Sequence, residues 1–225
     1  MTRYVVLIAS LLLAATDAAA ATDCYVYPKP GVDWSGCSKE KLMLGGENLE
    51  GANLAGSFLS GTGFEEANLS RAIIDLAEIN RVSFKHANLA NSSMEKASGS
   101  RVNFEGANLT GARMIKIDLT RSNFTGAMLA GADLSKGDFT RCEFRDADLS
   151  GASLKLSSLA RSSLTGAKLA GTDFTDTYLY RTIIAGADLS AVTGLRQDQL
   201  DSACGDRETK LPAGLTASRR WPCGE

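Results

Sequence analysis

"RVNFEGANLTGARMIKIDLT" (residues 101–120) runs directly into "RSNFTGAMLAGADLSKGDFT" (residues 121–140). Both stretches open with Arg, place Phe fourth and put "GA" at the sixth and seventh positions, so the chain repeats every twenty residues. Set out from Lys41, eight such rows appear. Within the rows an apolar residue returns at every fifth position from Leu44 to Leu189, and only Gly99 interrupts the series. Two places before the centre the residue is nearly always small, as at Ala52, Ala67, Ala87, Ala107, Ala127, Ala147, Ala167 and Ala187. A period of five matches neither the 3.6 of a helix nor the 2.0 of a strand. Neither element could bury all these centres, but a chain that turns a corner every five residues can. Four sides of five residues close a coil of twenty, and coils then stack.

The recurring pattern A-(D/N)-L-x-x, seen in "GANLA", "EANLS", "HANLA", "GADLS" and "DADLS", resembles the pentapeptide-repeat family. The resemblance covers about residues 42–191. It implies an all-β fold, a right-handed quadrilateral β-helix of about seven to eight coils. The central Leu or Phe and the small residue before it would point inward. The narrow interior suits that alternation of large and small side chains, because a core must reach native packing density. One side would stack Phe64, Phe84, Phe104, Phe124 and Phe144. The next would stack Leu49, Leu69, Leu89, Leu109, Leu129, Leu149, Leu169 and Leu189. The phenylalanine column therefore reads as core and not as a ligand cage. Gly99 reads as a void beside Met94 and Met114, whose flexible side chains could fill it. On that reading Gly99→Leu is expected to stabilise.

The repeat also divides the 225-residue chain. Residues 1–20 carry Arg3, an apolar run "YVVLIASLLLAA" and small residues at Ala18 and Ala20, the layout of a signal peptide. Cleavage is expected after Ala20, with Ala21 a near-equal choice. The apolar run is shorter than the roughly 20 residues that span a bilayer, so no transmembrane segment is expected in the mature chain. Cys24 follows Asp23, and the absence of a small residue there argues against lipid attachment. Residues 21–41 read as an N-terminal cap, 42–194 as the β-helix, and 195–225 as a C-terminal cap. That last cap would hold a short helix from about Gln197 to Cys204, with Leu200 and Ala203 inward and Gly205 as its stop. Export implies a periplasmic or secreted location, where disulfides persist.

Of the five cysteines, Cys142 occupies a small inward position and reads as a free buried thiol. The other four lie in the two caps, tens of ångströms apart in a stacked rod. A bridge needs Cα atoms within about 7 Å, which leaves Cys24–Cys37 and Cys204–Cys223. With His86 the only histidine and no CxxC spacing, no metal or cofactor is expected.

The solvent-facing columns remain. One corner carries Arg81, Arg101, Arg121, Arg141, Arg161 and Arg181, and the corner before it carries Lys96, Lys116 and Lys136. Glu78, Asp118 and Asp138 each lie three residues before an Arg and are expected to offset the column as a solvated charge ladder. The sharper reading is a stripe that binds an anionic partner, since Arg presents a fork suited to carboxylate or phosphate. "TYLYR" adds Tyr178 and Tyr180 beside Arg181, a candidate sugar platform or homodimer contact at the C-terminal coils. No P-loop, G-x-S-x-G or dinucleotide fingerprint occurs, and a filled rod leaves little room for a pocket, so no enzyme is expected. The leading expectation is a non-catalytic exported scaffold that binds an unknown envelope protein along its flat sides. The alternative is an anionic glycan or cell-wall polymer held by the Arg/Lys columns. Some members of the resembling family mimic DNA, bind gyrase and protect it from quinolones. The net charge of −2, the basic columns and the export signal all depart from that pattern, and no nucleic-acid partner is expected.

Overall fold

The computed structural model describes residues 22–223; the segment read as a signal peptide, with its expected cleavage at Ala20 or Ala21, lies outside them. The chain winds as a stacked coil. Parallel bridges join nearly every residue before a centre to the one twenty further on, from Asp33 with Asn53 through Asp173 with Thr193. Two segments extend into regular strands, β1 (Ser98–Ser100) and β2 (Asp118–Thr120), paired in parallel with Gly99 opposite Leu119.

The coil through residues 104–112 explains the five-residue period. Leu109 N donates to Met128 O on the next coil at 2.7 Å, and Gly111 N to Ala130 O at 3.0 Å. Asn108 N donates back to Ala87 O at 2.9 Å. Ala107 N and Ala112 N close turns onto Phe104 O and Leu109 O. The residue before each small inward position has a positive φ, as at Gly106 (63°) and Gly111 (65°). A turn whose second central residue needs φ > 0 is the type II turn.

One backbone N–H per pentad, that of the residue after the centre, has no place in this ladder. Asn or Asp before the centre supplies its acceptor. Asn88 Oδ1 takes Ala90 N at 3.2 Å, Asn108 Oδ1 takes Thr110 N at 3.1 Å and Asp148 Oδ1 takes Ser150 N at 3.0 Å. The A-(D/N)-L spelling thus has a cause beyond burial: a short side-chain acceptor satisfies the donor two residues on. The same amides bridge coils, with Asn68, Asn88 and Asn108 each donating Nδ2 to the Asn one coil before.

Every apolar centre from Leu49 to Leu189 is buried to 2 % exposure or less. The rings of Phe64, Phe84, Phe104, Phe124 and Phe144 stack face to face, with centroids 4.6–5.3 Å apart and planes within 13°. Phe139, on the neighbouring side, meets Phe124 and Phe144 edge-on. Burying each of these side chains contributes about 1.5–3 kcal/mol before conformational entropy is subtracted.

Gly99 is not a void. The coil closes on it so tightly that a Cβ there would lie 2.9 Å from the carbonyl carbon, the oxygen and Cγ1 of Ile79. Glycine at this centre lets the backbone itself take the space a side chain fills elsewhere. The expectation that Gly99→Leu stabilises is therefore reversed.

The ends differ from the sequence expectation as well. Winding begins inside the segment read as an N-terminal cap. Gly31 and Gly36 sit at corners with φ of 65° and 67°, and Val32, Trp34 and Cys37 are buried in line with the repeat. Lys39 takes a centre position by laying its ammonium 4.0 Å from the Trp34 ring centroid and donating to Cys24 O at 2.6 Å. Cys24 is bonded to Cys37, with Cα atoms 5.6 Å apart. At the other end α1 spans Gln197–Ser202, two residues shorter than expected. Leu200 and Ala203 are buried beneath the last coil. Gln199 caps that coil, donating Nε2 to Phe174 O and Thr177 O at 2.9 and 2.8 Å. Gly205 is not a left-handed helix stop. It is a close approach, with a Cβ there 2.6 Å from the Trp221 ring. The Cys204–Cys223 disulfide ties the closing segment down. Among the described residues no helix is long and apolar enough to cross a membrane.

Candidate functional site

Arg81, Arg101, Arg121, Arg141, Arg161 and Arg181 stand at successive turns of one corner, all exposed. Coils stack about 4.8 Å apart, so six rungs extend about 24 Å. Lys96, Lys116 and Lys136 occupy the preceding corner and are exposed too. Between the two corners lies a single face. Its outward residues are Glu78, Ser98, Asp118, Asp138, Ser158 and Tyr178 in one column, and Asn80, Ser100, Thr120, Thr140, Ala160 and Tyr180 in the other.

All nine cations sit in the left-handed region. The arginines have φ of 53–61° and the lysines 56–61°. A residue with a Cβ costs about 1–2 kcal/mol there, whereas glycine is at ease. The other two corners use glycine at most of their turns, as at Gly106, Gly126, Gly166 and Gly186 on one and Gly111, Gly131, Gly151 and Gly171 on the other. The arginine corner departs from that economy at six consecutive turns.

Glu78, Asp118 and Asp138 lie on the adjoining face without forming direct ion pairs with the column. Among the described residues, no carboxylate oxygen lies within 4.0 Å of any of the six arginines or of Lys96, Lys116 or Lys136. Basic residues on the other faces do find partners: Arg71 with Glu50, Arg113 with Glu95, Lys85 with Glu105 at 3.0 Å, and Arg196 with Asp176 and Asp198. Those pairs raise the Arg113 and Arg196 guanidiniums further above their ordinary range. Asp138 turns Oδ1 to Thr140 N at 2.9 Å and to Thr140 Oγ1 at 2.5 Å, the same use of Asx that builds every side of the coil. Partial burial and the neighbouring Asp138 carboxylate push Asp118 above the usual Asp range.

Beneath the arginine corner lies a buried column of polar groups that links the coils. Cys142 Sγ donates to Leu119 O and accepts from Ser122 N at 3.4 Å; Ser162 Oγ donates to Phe139 O and accepts from Cys142 N. Thr182 Oγ1 donates to Leu159 O at 2.7 Å. These groups explain why Ser, Cys and Thr stand where other sides carry Ala. Cys142 is free and buried, and burial pushes its thiol up to about 12. Among the described residues no cluster of His, Cys, Asp and Glu could hold a metal ion.

Tyr178 and Tyr180 close the C-terminal end of the face, with ring centroids 6.1 Å apart and planes 12° from parallel. They are 56 % and 42 % exposed, an uncovered aromatic pair beside Arg181.

The sequence profile of the pentapeptide repeats matches residues 48–83, 77–114, 117–155 and 157–193, in eight copies. The chain belongs to the pentapeptide-repeat family. Its β-helical solenoid is shared with solved members. One is HetL of the cyanobacterium Nostoc sp. strain PCC 7120, involved in heterocyst differentiation regulation. It is 21 % identical, with a TM-score of 0.58 over 82 % of this chain and 91 % of that one. Another is full-length QnrB1, a plasmid-mediated fluoroquinolone resistance protein. It is 16 % identical, with a TM-score of 0.54 over 80 % of this chain and 91 % of that one. At these identities the likeness is one of fold. No curated protein matches the chain.

Proposed function

We propose that this pentapeptide-repeat protein is a non-catalytic exported scaffold that binds an anionic partner on the face between the arginine and lysine corners. The observation that carries the reading is the arginine column itself. Six consecutive guanidiniums occupy turns that favour glycine, and among the described residues none has a carboxylate oxygen within 4.0 Å. An anion arriving at this face meets donors that need not first give up an internal partner, and charge-assisted hydrogen bonds to Arg are the stronger kind. Export is supported by the signal-like residues 1–20 and by two disulfides, which persist in oxidising compartments. A DNA-mimicking surface requires the opposite sign on its prominent face.

The test is binding of the oxidised protein to fluorescent heparin as a generic polyanion, across a salt series. Binding should weaken steeply with salt and fall in the Arg101→Ala, Arg121→Ala, Arg141→Ala variant. Heparin binding that is absent at low salt, or equal in the triple variant, would sink the reading.

A further inference from the structure

The six rungs are not equivalent. Glu78, Asp118 and Asp138 sit on the face beside the N-terminal and middle rungs, whereas Ser158, Ala160, Tyr178 and Tyr180 flank Arg161 and Arg181. The C-terminal rungs thus lie beside a stretch of face with no carboxylate. They also lie where the surface is concave. A groove of about 380 Å³ runs past Arg121, Arg141 and Arg161 over Thr120, Thr140 and Ala160 to Tyr180. It shares Tyr180 with a depression of about 430 Å³ bordered by Arg181 and Arg220. It shares Arg161 with a third depression of about 690 Å³, where Arg161 and Arg181 face Ile183, Ala185, Pro222 and the Cys204–Cys223 disulfide. Two carboxylates, Asp201 and Asp206, border these depressions. Asp201 Oδ1 accepts from Gln197 Nε2 and Asp206 Oδ1 from Gly186 N and Thr209; both keep their charge, which places the carboxylate-binding position at the Tyr180 side of the column.

We propose that this C-terminal end of the column, Arg161 and Arg181 with Tyr180, is a discrete site for the carboxylates of an acidic polysaccharide. The proposal rests on the face being a binding surface and names its occupant. Adjacent rungs about 4.8 Å apart set two guanidinium forks side by side, each matched to a carboxylate. The Tyr180 ring, 42 % exposed, offers an apolar face to a sugar ring, and Ala160 on the next rung leaves that face uncrowded. A straight column also suits an extended chain carrying one carboxylate per sugar. The phosphates of a nucleic-acid duplex wind about their axis at about 3.4 Å of rise per strand and would meet the column only where they cross it.

The probe is a fluorescent oligomer of polygalacturonate, titrated onto the oxidised full chain by anisotropy. Two variants remove equal charge: Arg161→Ala with Arg181→Ala, and Arg81→Ala with Arg101→Ala. Circular dichroism melts confirm that each folds. The C-terminal pair should weaken binding roughly tenfold or more, as loss of charge-assisted bonds implies. The N-terminal pair, about 14 Å away at its nearest rung, should weaken it less than about threefold through screened charge alone. Tyr180→Ala should weaken binding and Tyr180→Phe should retain it. Equal losses in the two arginine pairs overturn the discrete site and leave the binding face standing. Heparin or single-stranded DNA bound without polygalacturonate overturns the ligand class alone. No binding of any of the three polyanions removes both the site and the face.

Discussion

Replacing Gly99 by alanine should lower the melting temperature, although the position belongs to the apolar core series. The added Cβ would stand 2.9 Å from the carbonyl carbon and oxygen of Ile79, and 2.9 Å from its Cγ1. The side-chain atom can rotate away, but the backbone atoms cannot. They belong to the ladder in which Ile79 N donates to Ser98 O. Relief requires coils to shift, and overpacking of this kind costs about 1–3 kcal/mol. For a chain of this size that lowers Tm by roughly 2–12 °C. The assay is a thermal melt followed by circular dichroism, with Ser100→Ala on the outward side of the same strand as the control. Pairing Gly99→Ala with Ile79→Val should recover only a minor part of the loss, since the backbone clash persists. A melting temperature that is unchanged or higher would show that the coil has a hole at Gly99, and the reasoning would fail.

Cys142→Ala should destabilise by about 1–3 kcal/mol, because Leu119 O and Ser122 N lose their buried partner; Cys142→Ser should restore most of it, as a comparison of denaturant midpoints can show. The thiol should stay unreactive to a disulfide reagent at pH 8 in the native protein and react once the chain is unfolded. Asp118 has a raised carboxyl in the folded state, so its contribution is most favourable below the unfolded Asp range and is lost as pH rises through the folded value. Asp118→Asn should therefore raise stability at pH 7 and leave it unchanged near pH 2, read from melts at both values. Reduction of Cys24–Cys37 and Cys204–Cys223, which span 13 and 19 residues, should cost about 3 kcal/mol each and loosen the ends before the central coils. Hydrogen exchange by segment would show the order.

The period of five was enough to place every buried centre from Leu49 to Leu189, because no other backbone path buries that series. It was silent on three physical matters. The cap residues Gly31, Trp34, Gly36 and Cys37 keep the five-residue spacing, but Lys39 at a centre hides it. A lysine reads as solvent-facing until its ammonium is seen over Trp34. The Gly-rich corners at 106, 111, 126 and 131 carried the signal for a positive φ, and they therefore marked the arginine corner as strained. That inference needed the turn geometry to connect the corners. Pairing of Asp138 with Arg141 looked natural at a separation of three. Instead Asp138 turns Oδ1 to Thr140 and makes no direct ion pair with Arg141. Sequence separation does not report where a carboxylate points once the backbone has a claim on it.

If the arginines are kept for a partner, they are kept against the preference of the turn. Replacing Arg121, Arg141 and Arg161 by glycine measures both halves at once. Each left-handed residue relieved returns about 1–2 kcal/mol, offset by about 0.5–1 kcal/mol of extra freedom in the unfolded chain. The triple glycine variant is predicted to melt higher than the parent and to lose its binding to polyanions. A variant that melts lower and binds as before would show that the column serves the fold, and would contradict the account.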